Sequence, residues 1–526
     1  MGKNFICDER TVVTTAKGKL RGFYYNGIYT FHGIRYAKAK RFQAPQPVAA
    51  WEGVKDAISY GYICPILDQP RPAGEVATPH RFWPANENCQ YLNIWTGSLE
   101  QSAKKPVMVW LHGGGFASGS SIEQESYDGH NLAAYGDVVL VSVNHRLNVF
   151  GHLDMSSFGP QYANSVNAGI ADLVAALQWV KENIAAFGGN PDNVTIFGQS
   201  GGGSKVTALG QTAAADGLFH KAVIMSGVLS DAFMFSNADH REFALKVMEQ
   251  LGIEDQDPEK LEHAPAQHLI EAVNAVSAAL AAEGKILNWG PQPNDWYMGD
   301  PLKVGFAESF KKIPTMVGTV LGEFNMEAPI FGKETMTDEE KHARIEAKFG
   351  ENTDEVIRRF KVAYPHTDEI YVLNYDTLFR PDTVAYIKKK AAEGTAPVYS
   401  YMFSNVFDYM GGKVAWHCSD IAFWFHNAGS LPVCQMDDGV TERLEAQMSM
   451  SLVNFARTGN PNTAGLPWWT PCNKEHMYTM QLDKQCEERA DFEDELLPYM
   501  LEVTPAFHFD PSMFKDEEEE GSAWVY

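Results

Sequence analysis

Between residues 11 and 51 the chain alternates polar and apolar positions, as in Lys19-Leu20-Arg21-Gly22-Phe23-Tyr24-Tyr25-Asn26-Gly27-Ile28-Tyr29. A period of two puts successive side chains on opposite faces of a strand, and Asn-Gly readily adopts the positive φ angles of a two-residue hairpin turn. A small antiparallel N-terminal sheet is therefore expected. Further on, apolar residues gather into short unbroken runs at 106–111, 138–143, 194–197, 313–320 and 398–403. Runs of this length suit strands buried on both faces, the condition of a parallel sheet. Between two of them Ile170, Leu173, Val174, Leu177, Val180 and Ile184 recur every three or four residues, which marks one face of a helix over 167–187. Phe187-Gly188-Gly189-Asn190-Pro191 then ends the helix and leads into the next strand. Strand, helix and strand in that order predict an α/β fold with a large, mostly parallel central sheet flanked by helices.

Residues 231–390 are richer in charge and helix formers, and 339–364 has the amphipathic spacing of surface helices. The chain has no internal repeat and no long linker, so residues 1–526 are expected to form a single large domain. Within it, an N-terminal sheet is expected over about 11–51 and variable helical insertions, forming pocket walls, over about 231–390.

Charge narrows the function. Lys and Arg number 43 against 67 Asp and Glu, for a net charge of −24, so a nucleic-acid partner is not expected, because phosphate binding needs a cationic face. The run Asp516-Glu517-Glu518-Glu519-Glu520 reads as a solvated end. No apolar run of signal-peptide length opens the chain, which makes the cytoplasm the expected location. The stretches 138–143 and 272–282 fall short of the roughly 18–20 apolar residues that span a bilayer, so no membrane span is expected. The seven cysteines are an odd number and include no Cys-x-x-Cys pair, so they suggest neither a zinc ribbon nor a complete disulfide framework.

The sharpest chemical signal is Gly198-Gln199-Ser200-Gly201-Gly202, directly after the run 194–197. Chance alone would produce G-x-S-x-G in about one chain in five of this composition, so position carries more weight than pattern. A serine on a tight strand-to-helix turn exposes its Oγ, and flanking glycines avoid collisions there. The competing reading is an ordinary glycine-rich turn whose serine caps the helix. A second loop, Leu111-His112-Gly113-Gly114-Gly115-Phe116, follows the run 106–111. Its glycines would let a substrate carbonyl approach backbone N–H donors, the arrangement that stabilises a tetrahedral oxyanion. A phosphate loop is disfavoured, because no Gly-Lys-Ser/Thr and no G-x-G-x-x-G follows.

With these motifs the chain resembles the type-B carboxylesterases of the α/β-hydrolase superfamily, a group that includes cholinesterases, para-nitrobenzyl esterases and non-catalytic neuroligin-type adhesion proteins. The resemblance extends over Phe31-His32-Gly33-Ile34-Arg35-Tyr36-Ala37, Asn88-Cys89-Gln90-Tyr91-Leu92-Asn93-Ile94-Trp95, Asn144-His145-Arg146-Leu147, residues 167–202, Phe455-Ala456-Arg457-Thr458-Gly459-Asn460-Pro461 and Leu466-Pro467-Trp468-Trp469. It implies Ser200 as nucleophile. Glu323, in Gly318-Thr319-Val320-Leu321-Gly322-Glu323, is the implied triad acid, with Glu327 a nearby rival. His417, in Val414-Ala415-Trp416-His417-Cys418-Ser419-Asp420, is the implied base. It further implies an oxyanion hole from Gly114, Gly115 and Gly201, with Ser226 and Asp420 bracing the triad or serving as simple loop and cap polar groups. Asn144, Arg146 and Asp172 look like scaffold, and Trp416, Phe116, Phe233 and Phe235 are candidate pocket walls that could equally be core. The implied activity is hydrolysis of small to medium apolar carboxylic esters, with a small-molecule ester as partner and no cofactor or metal. An amide, lactone or bulky ester substrate stays open, as does a non-catalytic adhesion or scaffold role.

Two departures from the family pattern bear on substrate and redox state. Gln199 stands where many members carry Glu, and Gly201 where Ala is common, so the surroundings of Ser200 are less negative and a cationic substrate loses an anchor. Cys64 and Cys89 occupy positions that are disulfide-bonded in secreted members. Without an export signal, free thiols are the expectation.

Overall fold

The apolar runs of the sequence become neighbouring strands. The computed structural model of the protein describes residues 5–67, 80–230, 236–324, 330, 332–409 and 411–505. Its central sheet has twelve strands in the spatial order Phe5–Ile6, Phe23–Tyr25, Ile28–Arg35, Tyr91–Thr96, Val139–Val143, Lys105–Leu111, Gly189–Gln199, Lys221–Met225, Thr315–Val320, Val398–Phe403, Tyr478–Leu482 and Glu487–Ala490. From Val139–Val143 to Tyr478–Leu482 every pairing is parallel. The strands at both margins pair antiparallel.

Burial on both faces explains the unbroken runs. Val107, Val109 and Leu111 join the apolar cluster of Ile170, Leu173, Leu177 and Val180 from the helix Ala168–Asn183. Met108 and Trp110 point the other way, into the cluster of Leu444, Met448, Leu452 and Phe455 from the helix Val440–Thr458. Each such side chain stabilises the fold by about 1.5–3 kcal/mol relative to exposure, so the sheet is clamped from both sides.

The hairpin turn predicted at Asn26-Gly27 is present, with φ of 48° and 94° at the two residues, and the strands it joins belong to the central sheet. A separate small sheet pairs Val12–Thr14 antiparallel with Lys19–Arg21, which in turn pairs parallel with Val54–Asp56. The charged stretch 339–364 forms the helices Asp338–Phe349 and Thr353–Ala363, whose Ile345, Phe349, Val356 and Phe360 make a satellite core with Leu497 and Met500. No helix among the described residues is long and apolar enough to cross a membrane. The run 516–520 lies outside the described residues.

Register then positions the site. Leu111 pairs with Gly198, Gln199 with Met225, and Met225 with Gly318, so the chain leaves neighbouring strands at His112, Ser200, Ser226 and beyond Val320 along one sheet edge. The carboxyl ends of parallel strands are where open α/β sheets bind ligands.

Candidate active site

Ser200 sits between the strand Gly189–Gln199 and the helix Gly201–Gly210 with φ 58° and ψ −130°, a conformation that side-chain-bearing residues rarely adopt. The surrounding backbone holds it there: Ser200 N–H donates to Met225 O at 2.8 Å, and Ser204 N–H to Ser200 O at 3.0 Å. The flanking glycines are obligatory. A methyl group on Gly202 would stand 2.0 Å from Leu111 O, and one on Gly198 2.5 Å from the Gly202 carbonyl carbon. Ser200 Oγ has no hydrogen-bond partner among the described residues, including His417. Such bonds often tighten only when substrate binds.

The 113–115 loop approaches this turn at backbone distance. Gly114 and Gly115 have φ of 82° and 59°, and Gly114 O accepts the N–H groups of Ala117 and Ser118 at 3.2 and 3.0 Å. A methyl group on Gly201 would lie 2.2 Å from Gly115 O and 2.4 Å from Gly115 N. The Gly201 position that differs from the family pattern is therefore filled by the backbone of the facing loop. The two glycine motifs meet, with the start of the helix behind them favouring negative charge.

The third loop carries a paired base and acid. Glu323 Oε1 accepts Val320 N–H at 3.0 Å, and Glu323 Oε2 lies 2.5 Å from His417 Nδ1. Backbone adds His417 N–H to Glu323 O at 3.0 Å. A carboxylate at this distance fixes the proton on Nδ1 and leaves Nε2 of the neutral ring as an acceptor. The pair is sequestered, with side-chain exposures of 10% for His417 and 1% for Glu323. Phe324 and Phe379 stack on the imidazole with centroids 4.1 and 5.1 Å away. Glu327, the rival acid, lies outside the described residues.

Sequence reasoning placed Gln199 beside Ser200 but missed its contact with His417, and missed Cys418 and Asp376 altogether. The Gln199 amide nitrogen stands 3.4 Å from both ring nitrogens of His417, and its oxygen accepts the Cys418 thiol at 3.0 Å. Asp376 accepts the N–H groups of Leu378, Phe379 and Arg380 at 2.8, 3.0 and 2.8 Å. Burial, and then the charge of Glu323, push its carboxyl up to about 7. An acid just before Arg380-Pro381 is a helix-start signal, but nothing in that signal reports the proximity of Glu323.

Ser226 and Asp420 both lie deep in this region. Ser226 has φ 45° and donates its N–H to Gly318 O at 2.8 Å, while its Oγ is buried without a partner. Asp420 Oδ2 accepts Tyr401 OH at 3.0 Å and Trp424 Nε1–H at 3.1 Å. Its Oδ1 is buried and unpartnered, and burial followed by the Glu323 charge raises the carboxyl to about 6. Arg146 and Asp172 form a buried bidentate pair at 2.8 and 2.7 Å, and Asn144 Oδ1 accepts Ser121 N–H at 2.8 Å.

The candidate pocket aromatics divide differently from a pocket wall. Trp416 and Phe116 are buried in the core, against Phe407 and His152. Phe233 and Phe235 lie outside the described residues. Cys64 and Cys89 are buried free thiols. Among the described residues no group of His, Cys, Asp or Glu is arranged to hold a metal ion.

Residues 9–496 match the model of the carboxylesterase family. The chain is 34% identical over 498 residues to the para-nitrobenzyl esterase of Bacillus subtilis (strain 168), which spans 92% of this chain and 97% of that protein. The pyrethroid hydrolase Ces2a of Mus musculus is 31% identical over 521 residues, covering 90% of this chain and 87% of its own. Among solved structures, an esterase from anaerobic Clostridium hathewayi that can hydrolyze aliphatic aromatic polyesters superposes with a TM-score of 0.92 at 48% identity, over 96% of this chain and 100% of that one. A sheet whose carboxyl edge gathers a strained serine, a glycine loop and a histidine–glutamate pair, in a chain with these relatives, belongs to the carboxylesterase family of α/β-hydrolases, enzymes that cleave carboxylic esters.

Proposed function

We propose that the protein hydrolyses small to medium apolar carboxylic esters through Ser200, His417 and Glu323. His417 Nε2 takes the Ser200 proton as Oγ attacks the ester carbonyl, and the N–H groups of Gly114, Gly115 and Gly201 stabilise the oxyanion. As the tetrahedral intermediate collapses, His417 returns the proton to the leaving alcohol, leaving an acyl-enzyme on Ser200. Water, deprotonated by His417, then attacks the acyl group and releases the acid. Glu323 keeps the ring in the required tautomer and stabilises its protonated form, while Ser226 and Asp420 brace the loops around it. The observation that carries this reading is the 2.5 Å His417–Glu323 contact beside a serine held at φ 58°.

The likeness to the Clostridium hathewayi esterase favours one extension, to bulky esters of the aliphatic aromatic polyester class. The test is hydrolysis of para-nitrophenyl esters of increasing acyl length, together with an oligomeric aliphatic aromatic ester, by the wild type and Ser200→Ala. We expect at least a thousandfold loss in the variant for every substrate cleaved. Wild-type turnover by Ser200→Ala would refute the nucleophile assignment. An inert oligomer beside active short esters would remove the extension alone.

A further inference from the structure

The helix that begins after Ser200 carries a buried cation with no part in the steps above. Lys205 is 0% exposed. Its Nζ donates to His112 O at 2.8 Å and stands 5.9 Å from the centre of the Phe116 ring. Those two residues bracket the 113–115 loop, so one side chain reaches both of its ends.

Three buried histidines lie close enough to feel the lysine's charge. His112 Nδ1 lies 2.8 Å from Gly113 O, His145 Nδ1 2.9 Å from Arg146 O, and His152 Nδ1 2.9 Å from Val166 O. In each case the ring proton is therefore on Nδ1. Burial holds all three imidazoles below their ordinary range, His152 at about 3, and the Lys205 charge presses them further in the same direction. The same burial draws Lys205 down to about 7, opposed by the charge of Glu123. Desolvating an ammonium is costly, yet among the described residues Lys205 Nζ donates to a single carbonyl, at the base of the glycine loop.

That carbonyl is linked to the proposed oxyanion hole. Lys205 polarises the His112–Gly113 peptide, and His112 Nδ1–H polarises the carbonyl of the Gly113–Gly114 peptide, whose N–H belongs to Gly114. A carbonyl that accepts a hydrogen bond in a low-dielectric interior makes the N–H across the same peptide a stronger donor. On its other side the loop abuts Gly201 at backbone distance. The helix thus grips the loop at Gly201 and again, one turn along, at Lys205.

We propose that Lys205 is a positioning residue for acyl transfer, holding the His112 carbonyl so that the 113–115 loop keeps its N–H groups aimed at the oxyanion. The proposal rests on Ser200 being the nucleophile. A purely structural lysine would affect folding and substrate affinity; a positioning lysine affects stabilisation of the tetrahedral state.

The test compares Lys205→Met, Lys205→Gln and Lys205→Arg with the wild type on para-nitrophenyl butyrate, alongside inhibition by an aryl trifluoromethyl ketone, which forms a tetrahedral adduct with a nucleophilic serine. In Lys205→Met we expect kcat to fall 10- to 100-fold with KM within about threefold, because small misplacements of catalytic groups cost up to about a hundredfold. Affinity for the ketone should fall by the same factor, and Lys205→Arg should recover most of kcat. Unchanged kcat in folded Lys205→Met, a change confined to KM, or a fall in kcat with ketone affinity retained would each overturn the proposal. If Lys205→Met does not fold, Lys205→Gln is judged by the same criteria. Activity surviving in Ser200→Ala would sink the nucleophile assignment whatever Lys205 does. An inactive Ser200→Ala beside a fully active Lys205→Met would sink the lysine proposal alone.

Discussion

The two halves of the site are built on opposite principles. Around Ser200 and the 113–115 loop the construction is almost all backbone: methyl groups on Gly201, Gly202 or Gly114 would come within 2.4 Å of neighbouring main-chain atoms. Around His417 it is almost all side chain, with two stacked phenylalanines, a glutamine amide and a glutamate against one ring. The first half gains precision from atoms left out, the second from atoms put in. Their charges differ as well. The glycine side is underlain by a helix start and a lysine with Glu123 as its counter-charge, whereas the histidine side buries the carboxyls of Glu323, Asp376 and Asp420 together. In the proposed mechanism an oxyanion and an imidazolium need opposite surroundings, and the two halves would supply them.

This contrast can be broken most decisively at Glu323. Glu323→Gln keeps an acceptor for Val320 N–H but can set an amide N–H against His417 Nδ1–H, favouring the wrong tautomer. We expect kcat to drop about 10³- to 10⁴-fold with thermal stability nearly retained. A loss under tenfold would mean that the acid side does not depend on this contact.

On the glycine side the expected loss is smaller. Gly201→Ala inserts a methyl group 2.2 Å from Gly115 O, so the loop must retreat. We expect about a hundredfold in kcat, roughly 2.7 kcal/mol, measured on a short para-nitrophenyl ester. Alanine is the better helix former, which offsets part of any cost in stability. Undiminished turnover would show that the loop tolerates displacement and that the backbone contact is incidental.

The smallest effect concerns charge alone. Asp420 holds its proton more tightly in the fold, at about 6 against 3.8. The stability this contributes is complete below about pH 4 and is lost as pH rises through 6. Asp420→Asn removes that dependence while keeping an oxygen for Tyr401 and Trp424. Between pH 4.5 and 7.5 the variant should gain on the wild type by at most about 2 kcal/mol, read as diverging thermal midpoints. A constant gap between the two proteins would remove the argument that buried carboxyl charge is balanced on this side.

Much of the frame was legible in short stretches of text. The Asn26-Gly27 turn, the run 398–403 and the helical spacing from Ile170 to Ile184 each encode their own conformation, because turn chemistry and side-chain period act over a few residues. The strained turn at Ser200 was legible for the same reason, since Gly198 and Gly202 flank it directly. The extent of the N-terminal sheet was less legible. Whether the hairpin of Phe23–Tyr25 and Ile28–Arg35 joins a small sheet or, through Ile28–Arg35, pairs with Tyr91–Thr96 depends on a strand some sixty residues away.

What the sequence determined by itself, therefore, was the kinds of element, their order and the loops in which chemistry could sit. Its resemblance to a family narrowed 16 histidines and 67 acids to His417 and Glu323, with Glu327 as a rival acid. Only the tertiary structure brought together groups 94 residues apart in the His417–Glu323 pair, 218 apart in the Gln199–His417 contact and 93 apart in the Lys205–His112 bond. The physical reason is that a local pattern states which conformation a segment prefers, while the partner of a buried charge is set by how the two faces of one sheet are packed.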